Sequence, residues 1–182
     1  GIYRYALRDL VPPEGTARMM ALATDAAYPL SVRLIAANYL YRARDIELDS
    51  LDGIRLAKAL AAEGDPRIRM ALVIGLGKTA SDPALDALTN QYNLEEDYRV
   101  KANILSAFGN FPYPQVQAAA LEALRDPNVH LAARAAQYFL QHGAPEDATL
   151  YWRLTRDTLP WQATTQLFAA ALRHLPNYYS DY

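Results

Sequence analysis

Four basic side chains recur along the chain at intervals of roughly thirty residues, and they are the residues best suited to bind an anion. These residues are Arg33, Arg69, Lys101 and His130. Each directly follows a β-branched residue, so in a stack of similar segments the four bases would form an anion-binding ladder. The alternative is a structural ladder, in which each base pairs with an acidic residue at a nearby turn, such as Asp65 or Asp97, and orients adjacent segments. We favour the structural ladder, because the units of a repeat array are held together by contacts with their neighbours.

A second set of positions, mostly apolar, predicts a partner-binding groove. Counted from the β-branched residue that we call the anchor, the second and sixth positions lean towards the open side of stacked helices. The candidate groove residues are Leu34, Asn38, Met70, Ile74, Ala102, Ser106, Leu131, Ala135 and Leu167. A large contiguous apolar patch on a surface usually marks an interaction site. The alternative is that strong curvature of the stack, or other domains of a longer chain, cover this face.

The titratable residues form no motif for a metal ion, a cofactor or a nucleophile. The absence of cysteine excludes thiolate catalysis, disulfides and cysteine zinc sites. The histidines His130, His142 and His174 lack the His-x-x-x-His spacing of a helical metal site. Gly75 and Gly77 fall at the predicted end of a helix, whereas a phosphate cradle needs glycines at its start. We therefore predict no cofactor and no catalytic residue.

Composition narrows the class of protein further. The chain has 182 residues, 52% of them hydrophobic and 21% charged, which is ordinary for a globular protein with one sizeable core. Its net charge of −2 provides no overall positive field, so we expect neither nucleic acid nor an anionic membrane surface as a partner. No apolar run approaches the roughly 18 to 20 residues of a membrane span. The cysteine-free chain suits the cytoplasm and the periplasm equally, and its two ends lead us to expect a fragment of a larger protein.

The pattern of helix signals predicts an all-α fold. Amphipathic segments begin at Asp, Ser or Pro and end at Gly or Pro, and no period-two strand pattern is present. The first predicted helix covers residues 2–11, and Gly77 is predicted to end the helix that Asp65 caps. The predicted anchors of the second helix of each pair are Val32, Ile68, Val100, Val129 and Trp161, at spacings of 36, 32, 29 and 32 residues. This period predicts a single domain over residues 1–182, an α-α superhelix of about five helix pairs.

One sequence signature supports a specific resemblance. Asp-Pro-x-(Val/Ile)-(Arg/Lys), followed by a small and large apolar run, is clearest at residues 65–77 and 126–139, and residues 96–109 carry it without the proline. It resembles the HEAT-like repeats of the short bacterial, PBS-lyase type, which implies an armadillo-like solenoid. Residues 100–113 and 129–138 also resemble the helical region joined to some bacterial cyclophilin-type prolyl isomerases. That resemblance implies that any isomerase activity resides outside these residues.

These observations predict a non-catalytic interaction or scaffold module. Its groove would hold a protein, a peptide or a neighbouring domain of the same chain. The alternative from the resemblance is an accessory region of a prolyl isomerase that assists protein folding. A HEAT-like DNA glycosylase ranks lower, because it would need a basic groove, and a bilin lyase-type protein would need a tetrapyrrole pocket.

Overall fold

The computed structural model describes residues 13–43 and 46–174, in which all regular secondary structure is helical. The ten α-helices of these residues are α1 (Pro13–Thr24), α2 (Leu30–Arg42), α3 (Ser50–Ala62), α4 (Pro66–Thr79), α5 (Asp82–Leu94), α6 (Tyr98–Ala107), α7 (Tyr113–Ala123), α8 (Val129–His142), α9 (Ala148–Leu154) and α10 (Trp161–His174). Short 3-10 segments, Phe108–Asn110 and Pro145–Asp147, follow α6 and precede α9. The predicted all-α class is confirmed. The helix predicted over residues 2–11 lies outside the described residues.

Side chains of aspartate begin several of these helices. The Asp49 carboxylate accepts a 2.8 Å hydrogen bond from the Asp52 N–H, and the Asp52 side chain in turn accepts from the Asp49 N–H, which completes a capping box at α3. Asp65 accepts from the Arg67 N–H at 2.8 Å at the start of α4. Each cap satisfies an N–H group that has no partner inside the helix. The cap predicted at Asp65 is confirmed, and of the two residues that the sequence offers as the cap of α3, Asp49 and Ser50, the structure uses Asp49.

The helices group into two compact units, residues 1–110 and residues 111–182. We call α2, α4, α6, α8 and α10 the second helices, since each is the second of a pair. In unit 1, α2 packs on α4 and α4 packs on α6, while α3 packs against both α4 and α5. In unit 2, α8 packs against α7 and α10, and α9 packs against α10. Each unit therefore has a core built between neighbouring helices.

The anchor of a second helix lies three residues after its N-cap. In unit 1 this holds for Ile68 and Val100, both fully buried. In α8 the cap is Asn128, whose side chain accepts hydrogen bonds from the N–H groups of His130 and Leu131 at 3.0 and 3.3 Å. The buried anchor is therefore Leu131, and the predicted anchor Val129 is 45% exposed.

The same displacement occurs in α10, where the predicted anchor Trp161 is 73% exposed and Ala163 is buried. Our alignment of unit 2 was thus wrong by two residues. The corrected anchors are Val32, Ile68, Val100, Leu131 and Ala163, followed four residues later by Ala36, Leu72, Ile104, Ala135 and Leu167, and eight residues later by Leu40, Leu76, Phe108, Phe139 and Ala171. All of these except the half-buried Val32 are buried.

Gly77 does not end α4, contrary to our prediction. The helix continues to Thr79, and Ala80 after it adopts the left-handed conformation with φ 46°. A Cβ atom at Gly77 would lie 2.7 Å from the Cβ and 3.0 Å from the Cα of Ala107. Glycine is needed there because α6 approaches the backbone of α4 closely, and not because of its conformational freedom.

The buried face of α3 also differs from the predicted one. The helical spacing predicts a buried stripe of Leu51, Ile54, Ala57, Leu60 and Ala61. Of these, Leu60 is buried as predicted, but Leu51 and Ile54 are 60% and 53% exposed, and Gly53 and Leu56 are buried instead. The helix is amphipathic in either register, so its sequence alone did not distinguish the two faces.

Candidate functional site

The basic side chains of α2 and α4 pair with glutamates at the turn of the next helix pair. Arg33 forms an ion pair with Glu63, which directly follows α3. Arg69 binds Glu95, which directly follows α5, through two parallel hydrogen bonds of 2.8 Å. These partners lie two residues before Asp65 and Asp97, which we had predicted.

Each glutamate also shapes the turn in which it lies. Glu63 Oε1 accepts from the Asp65 N–H at 2.8 Å, and Glu95 Oε1 accepts from the Asp97 N–H at 3.0 Å. Glu95 is 6% exposed and receives a further bond of 2.9 Å from Gln91 Nε2. One carboxylate thus connects the preceding second helix to the turn that starts the following one.

The electrostatics of the Arg69–Glu95 pair indicate a fully engaged ion pair. Burial by itself raises the pKa of Glu95, but the hydrogen bonds from Arg69, the Asp97 N–H and Gln91 outweigh it, and the pKa lies below its usual range. The hydrogen bonds to Glu95 raise the pKa of Arg69. The charge of the Arg69 guanidinium, 17% exposed, is therefore matched by a carboxylate inside the protein.

Lys101 and His130 differ from the two arginines. Lys101 Nζ lies 5.1 Å from the ring centroid of Tyr92 in a cation–π contact. His130 is exposed, and in the corrected register it occupies the position of Arg67 and Arg99, one residue before the anchor. The structure therefore does not bring the four predicted bases into one equivalent column.

Sequence reasoning missed a second pair of arginines on α4 and α6. Arg67 donates from Nε and Nη2 to the Asp65 carboxylate at 3.0 and 2.7 Å, and Arg99 does the same to Asp97 at 3.0 and 2.6 Å. Hydrogen bonds from these arginines hold the pKa of each aspartate at about 2. The signal that could have found them is the Asp-x-Arg sequence repeated at both helix starts, at residues 65–67 and 97–99.

The structure divides the predicted groove residues into two groups. In unit 1, Leu34, Asn38, Met70, Ile74 and Ala102 are half-buried and Ser106 is exposed. In unit 2, Leu131, Ala135 and Leu167 are at most 1% exposed. These three were assigned to an open face only because of the two-residue alignment error, and they belong to the core of unit 2.

An open groove of about 490 Å³ lies over α2, α4 and the start of α6 in unit 1. Three of the predicted residues, Leu34, Asn38 and Met70, line it together with Ala37, Tyr41, Arg42, Arg67, Ala71 and Arg99. Its apolar residues agree with the predicted character of the groove, but its three arginines do not. We expected an apolar groove without charged residues. The groove is instead apolar with arginine residues at its border.

Lys78 fastens the end of α4 to the end of α2. Its Nζ donates to the carbonyl oxygens of Leu40 and Ala43 at 2.5 and 2.6 Å. Burial lowers the pKa of Lys78 to about 8. The ammonium group satisfies carbonyls that the last turn of α2 leaves without helical partners, which is a structural use of a buried charge.

Unit 2 contains a hydrogen-bonded cluster of two tyrosines, an aspartate and a glutamine. The Tyr113 hydroxyl donates to Asp147 at 2.7 Å and lies 2.9 Å from the Tyr151 hydroxyl, and Gln117 donates to both Tyr113 and Asp147. Burial, followed by these hydrogen bonds, raises the pKa of Tyr113. These hydrogen bonds join α7, the 3-10 segment Pro145–Asp147 and α9 within unit 2.

The described residues offer neither a metal site nor a membrane span. No group of three or more metal-binding side chains in these ranges could hold a metal ion. None of the helices within residues 13–43 and 46–174 combines the length and apolar character needed to cross a membrane. A larger cavity of about 590 Å³, in unit 2, is lined by residues 124–127 and 156–160, which include two arginines and two aspartates.

Comparison with known proteins adds no family to this description. The chain matches no protein-family model, and no curated protein matches its sequence.

Proposed function

We propose that this chain is a HEAT-like α-solenoid that acts as a non-catalytic interaction module, with the groove of unit 1 as its binding face. The proposal combines the repeat signature of the sequence with the accessible columns of three successive second helices. Its partner would be a protein segment lying across α2, α4 and α6.

The observation that carries the proposal is the contrast between neighbouring columns in unit 1. The anchor positions Ile68 and Val100 are fully buried, while Met70 and Ala102, two residues further along, remain accessible. The same helices therefore bury one face in the core and leave an adjacent apolar face in contact with solvent. Repeated apolar accessibility on successive helices suits a ligand that extends across them.

The form of the groove favours a macromolecular segment over a small substrate. The groove is open along the second helices, whereas small-molecule sites are concave and enclose most of their ligand. Its described lining residues include no cysteine, histidine, lysine or carboxylate, so Tyr41 is the one group among them of the kinds that enzymes commonly use for general acid–base catalysis.

The test is selection of peptides on the full chain, followed by substitution in the groove. A library of random twelve-residue peptides is selected against the wild-type protein, and the affinity of the recovered peptides is measured by fluorescence anisotropy. Met70→Glu places a charge among the apolar groove residues, and we expect at least a tenfold loss of affinity, about 1.4 kcal/mol. Circular dichroism should show unchanged helix content, because Met70 is accessible.

Leu51→Glu is the matched control. Leu51 is a 60% exposed apolar residue on α3 and does not line the groove, so the substitution should leave peptide affinity unchanged. Equal affinity of the wild type and the Met70→Glu variant, or no recovered peptide, would contradict the proposal.

A further inference from the structure

We propose that the groove of unit 1 recognises an acidic and apolar peptide segment, in which side-chain carboxylates flank a large apolar residue. This inference rests on the proposed function and names the chemistry of the partner. The carboxylates would bind Arg67, Arg99 and Arg42, and the apolar residue would pack on Leu34 and Met70.

The first argument is that the groove presents guanidinium groups to solvent. The side chains of Arg67 and Arg99 are 56% and 50% exposed, whereas those of their partners Asp65 and Asp97 are each 19% exposed. A ligand that enters the groove therefore meets positive charge before negative charge. Arg42 adds a third guanidinium and forms no ion pair with a described carboxylate.

The second argument is that Arg67 and Arg99 are fixed by their aspartates while some of their N–H groups remain available to a ligand. Each uses Nε and Nη2 to bind its own aspartate. A guanidinium has five N–H groups, and neither Nη1 donates to another group among the described residues. Because the aspartates already fix these side chains, a ligand would lose little additional side-chain entropy on binding them.

The third argument is the electrostatic relation between the two arginines. Arg67 and Arg99 occupy equivalent positions in successive second helices, each two residues after the N-cap. The charge of Arg99 opposes the increase that Asp65 causes in the pKa of Arg67, so the two guanidinium groups repel each other. A carboxylate that contacts both would relieve this repulsion.

The same features favour carboxylates over phosphate groups. Asp65 and Asp97 already balance much of the charge of Arg67 and Arg99, and the smaller positive charge that remains suits a singly charged carboxylate better than a doubly charged phosphate. Leu34, Ala37, Met70 and Ala71 also provide apolar contact area, which a nucleic-acid backbone would not use. A peptide with acidic and apolar side chains matches both parts of the groove.

The experiment compares three versions of each peptide recovered from the random library by the full chain. The versions carry Glu and Asp, the neutral Gln and Asn, or phosphoserine at the acidic positions. We expect the recovered peptides to contain acidic residues beside a large apolar residue, and the neutral version to bind at least tenfold more weakly. The double variant Arg67→Gln, Arg99→Gln should abolish this difference, while Arg55→Gln on α3, outside the groove, should preserve it.

Each other outcome overturns the inference. Recovered peptides without acidic residues, equal binding of the acidic and neutral versions, or tighter binding of the phosphoserine version would show that carboxylates are not the preferred ligands. If such peptides still lose affinity in the Met70→Glu variant, the proposed function stands and only the partner chemistry is wrong. If no peptide is recovered, both fail.

Discussion

The two units use the same helical register but hold their second helices together differently. In unit 1 the residue after the anchor Ile68 is Arg69, which reaches Glu95 at the next turn. In unit 2 the residue after the anchor Leu131 is Ala132, which is fully buried. At this position unit 2 therefore has a buried small apolar residue where unit 1 has an ion pair. Helices with the same arrangement of anchors are thus held together by different kinds of contact.

Unit 2 instead concentrates its polar contacts in an aromatic cluster. Tyr113 bonds to Asp147 and Tyr151, and Phe139 packs at 5.5 Å from the Tyr151 ring. Tyr138 stacks on His142 at 5.1 Å, and its buried hydroxyl has no hydrogen-bond partner within residues 13–43 and 46–174. The main polar contacts are therefore carboxylate–guanidinium pairs in unit 1 and hydrogen bonds of tyrosine hydroxyls in unit 2.

The largest expected effect is the removal of a carboxylate from unit 1. Glu95→Gln leaves the Arg69 guanidinium, 17% exposed, without its ionic partner, and we expect a loss of about 3 kcal/mol in the free energy of unfolding. Asp126→Asn in unit 2 affects a residue that bonds the Asn128 N–H at 2.8 Å, and the expected loss is about 1 kcal/mol. Urea unfolding of the full chain measures both.

The exposed neighbour Glu96 provides the control for this pair of variants. Glu96→Gln should change the free energy of unfolding by less than about 0.5 kcal/mol. Equal losses for Glu95→Gln and Asp126→Asn would remove the distinction between the two units.

Two tyrosine substitutions in unit 2 should have effects of intermediate size, and they should change the free energy of unfolding in opposite directions. Tyr138→Phe removes a buried hydroxyl without a partner and should increase the free energy of unfolding by about 1 kcal/mol. Tyr113→Phe removes a hydroxyl that serves Asp147, Tyr151 and Gln117, and should decrease it by about 1.5 kcal/mol. Thermal and urea unfolding of both variants measure this difference. Changes of the same sign would show that hydroxyl pairing does not govern this cluster.

The smallest expected effect is a change in the stability of unit 1 at acidic pH, caused by protonation of Asp65. The pKa of Asp65 lies at about 2, below its usual value of 3.8, so its contribution to stability is present above about pH 4 and is lost as the pH falls through 2. Arg67→Gln removes the main cause of this decrease and should return the pKa of Asp65 towards 3.8. NMR titration of the side-chain carboxyl carbon measures the pKa, with Asp97 as the internal reference. An unchanged pKa in the variant would show that the backbone cap alone lowers it.

Local signals in the sequence predicted much of the fold. Asp49 and Asp65 are caps because their short carboxylates reach N–H groups two or three residues ahead, and this depends only on nearby residues. Unit 2 was misaligned because Asp126-Pro127 resembles the start of a helix, while Asn128 supplies the cap. Both residue types can cap, and Val129 and Leu131 are both aliphatic, so only the hydrogen bond distinguishes the two registers.

The candidate site was less predictable, because it depends on contacts between distant residues. Arg69 and Glu95 are separated by 26 positions, and their pairing follows from how closely the helices pack. The need for glycine at position 77 likewise comes from Ala107 on another helix. The arginines of the groove escaped prediction because the groove positions were counted only from the anchor towards the C-terminus, whereas Arg67 and Arg99 each lie one residue before the anchor and line the groove together with Met70.

The carboxylates of Glu63 and Glu95 affect how the turns that contain them respond to substitutions and insertions. Each carboxylate reaches the N–H of the aspartate two positions ahead, and Asp126 makes the equivalent bond to Asn128. The residue between the two bonded positions is Gly64, Glu96 or Pro127, three unrelated types that are all exposed. One residue inserted into either glutamate turn would move the carboxylate away from both the helix start and its arginine, whereas a substitution of the exposed middle residue would leave these bonds in place.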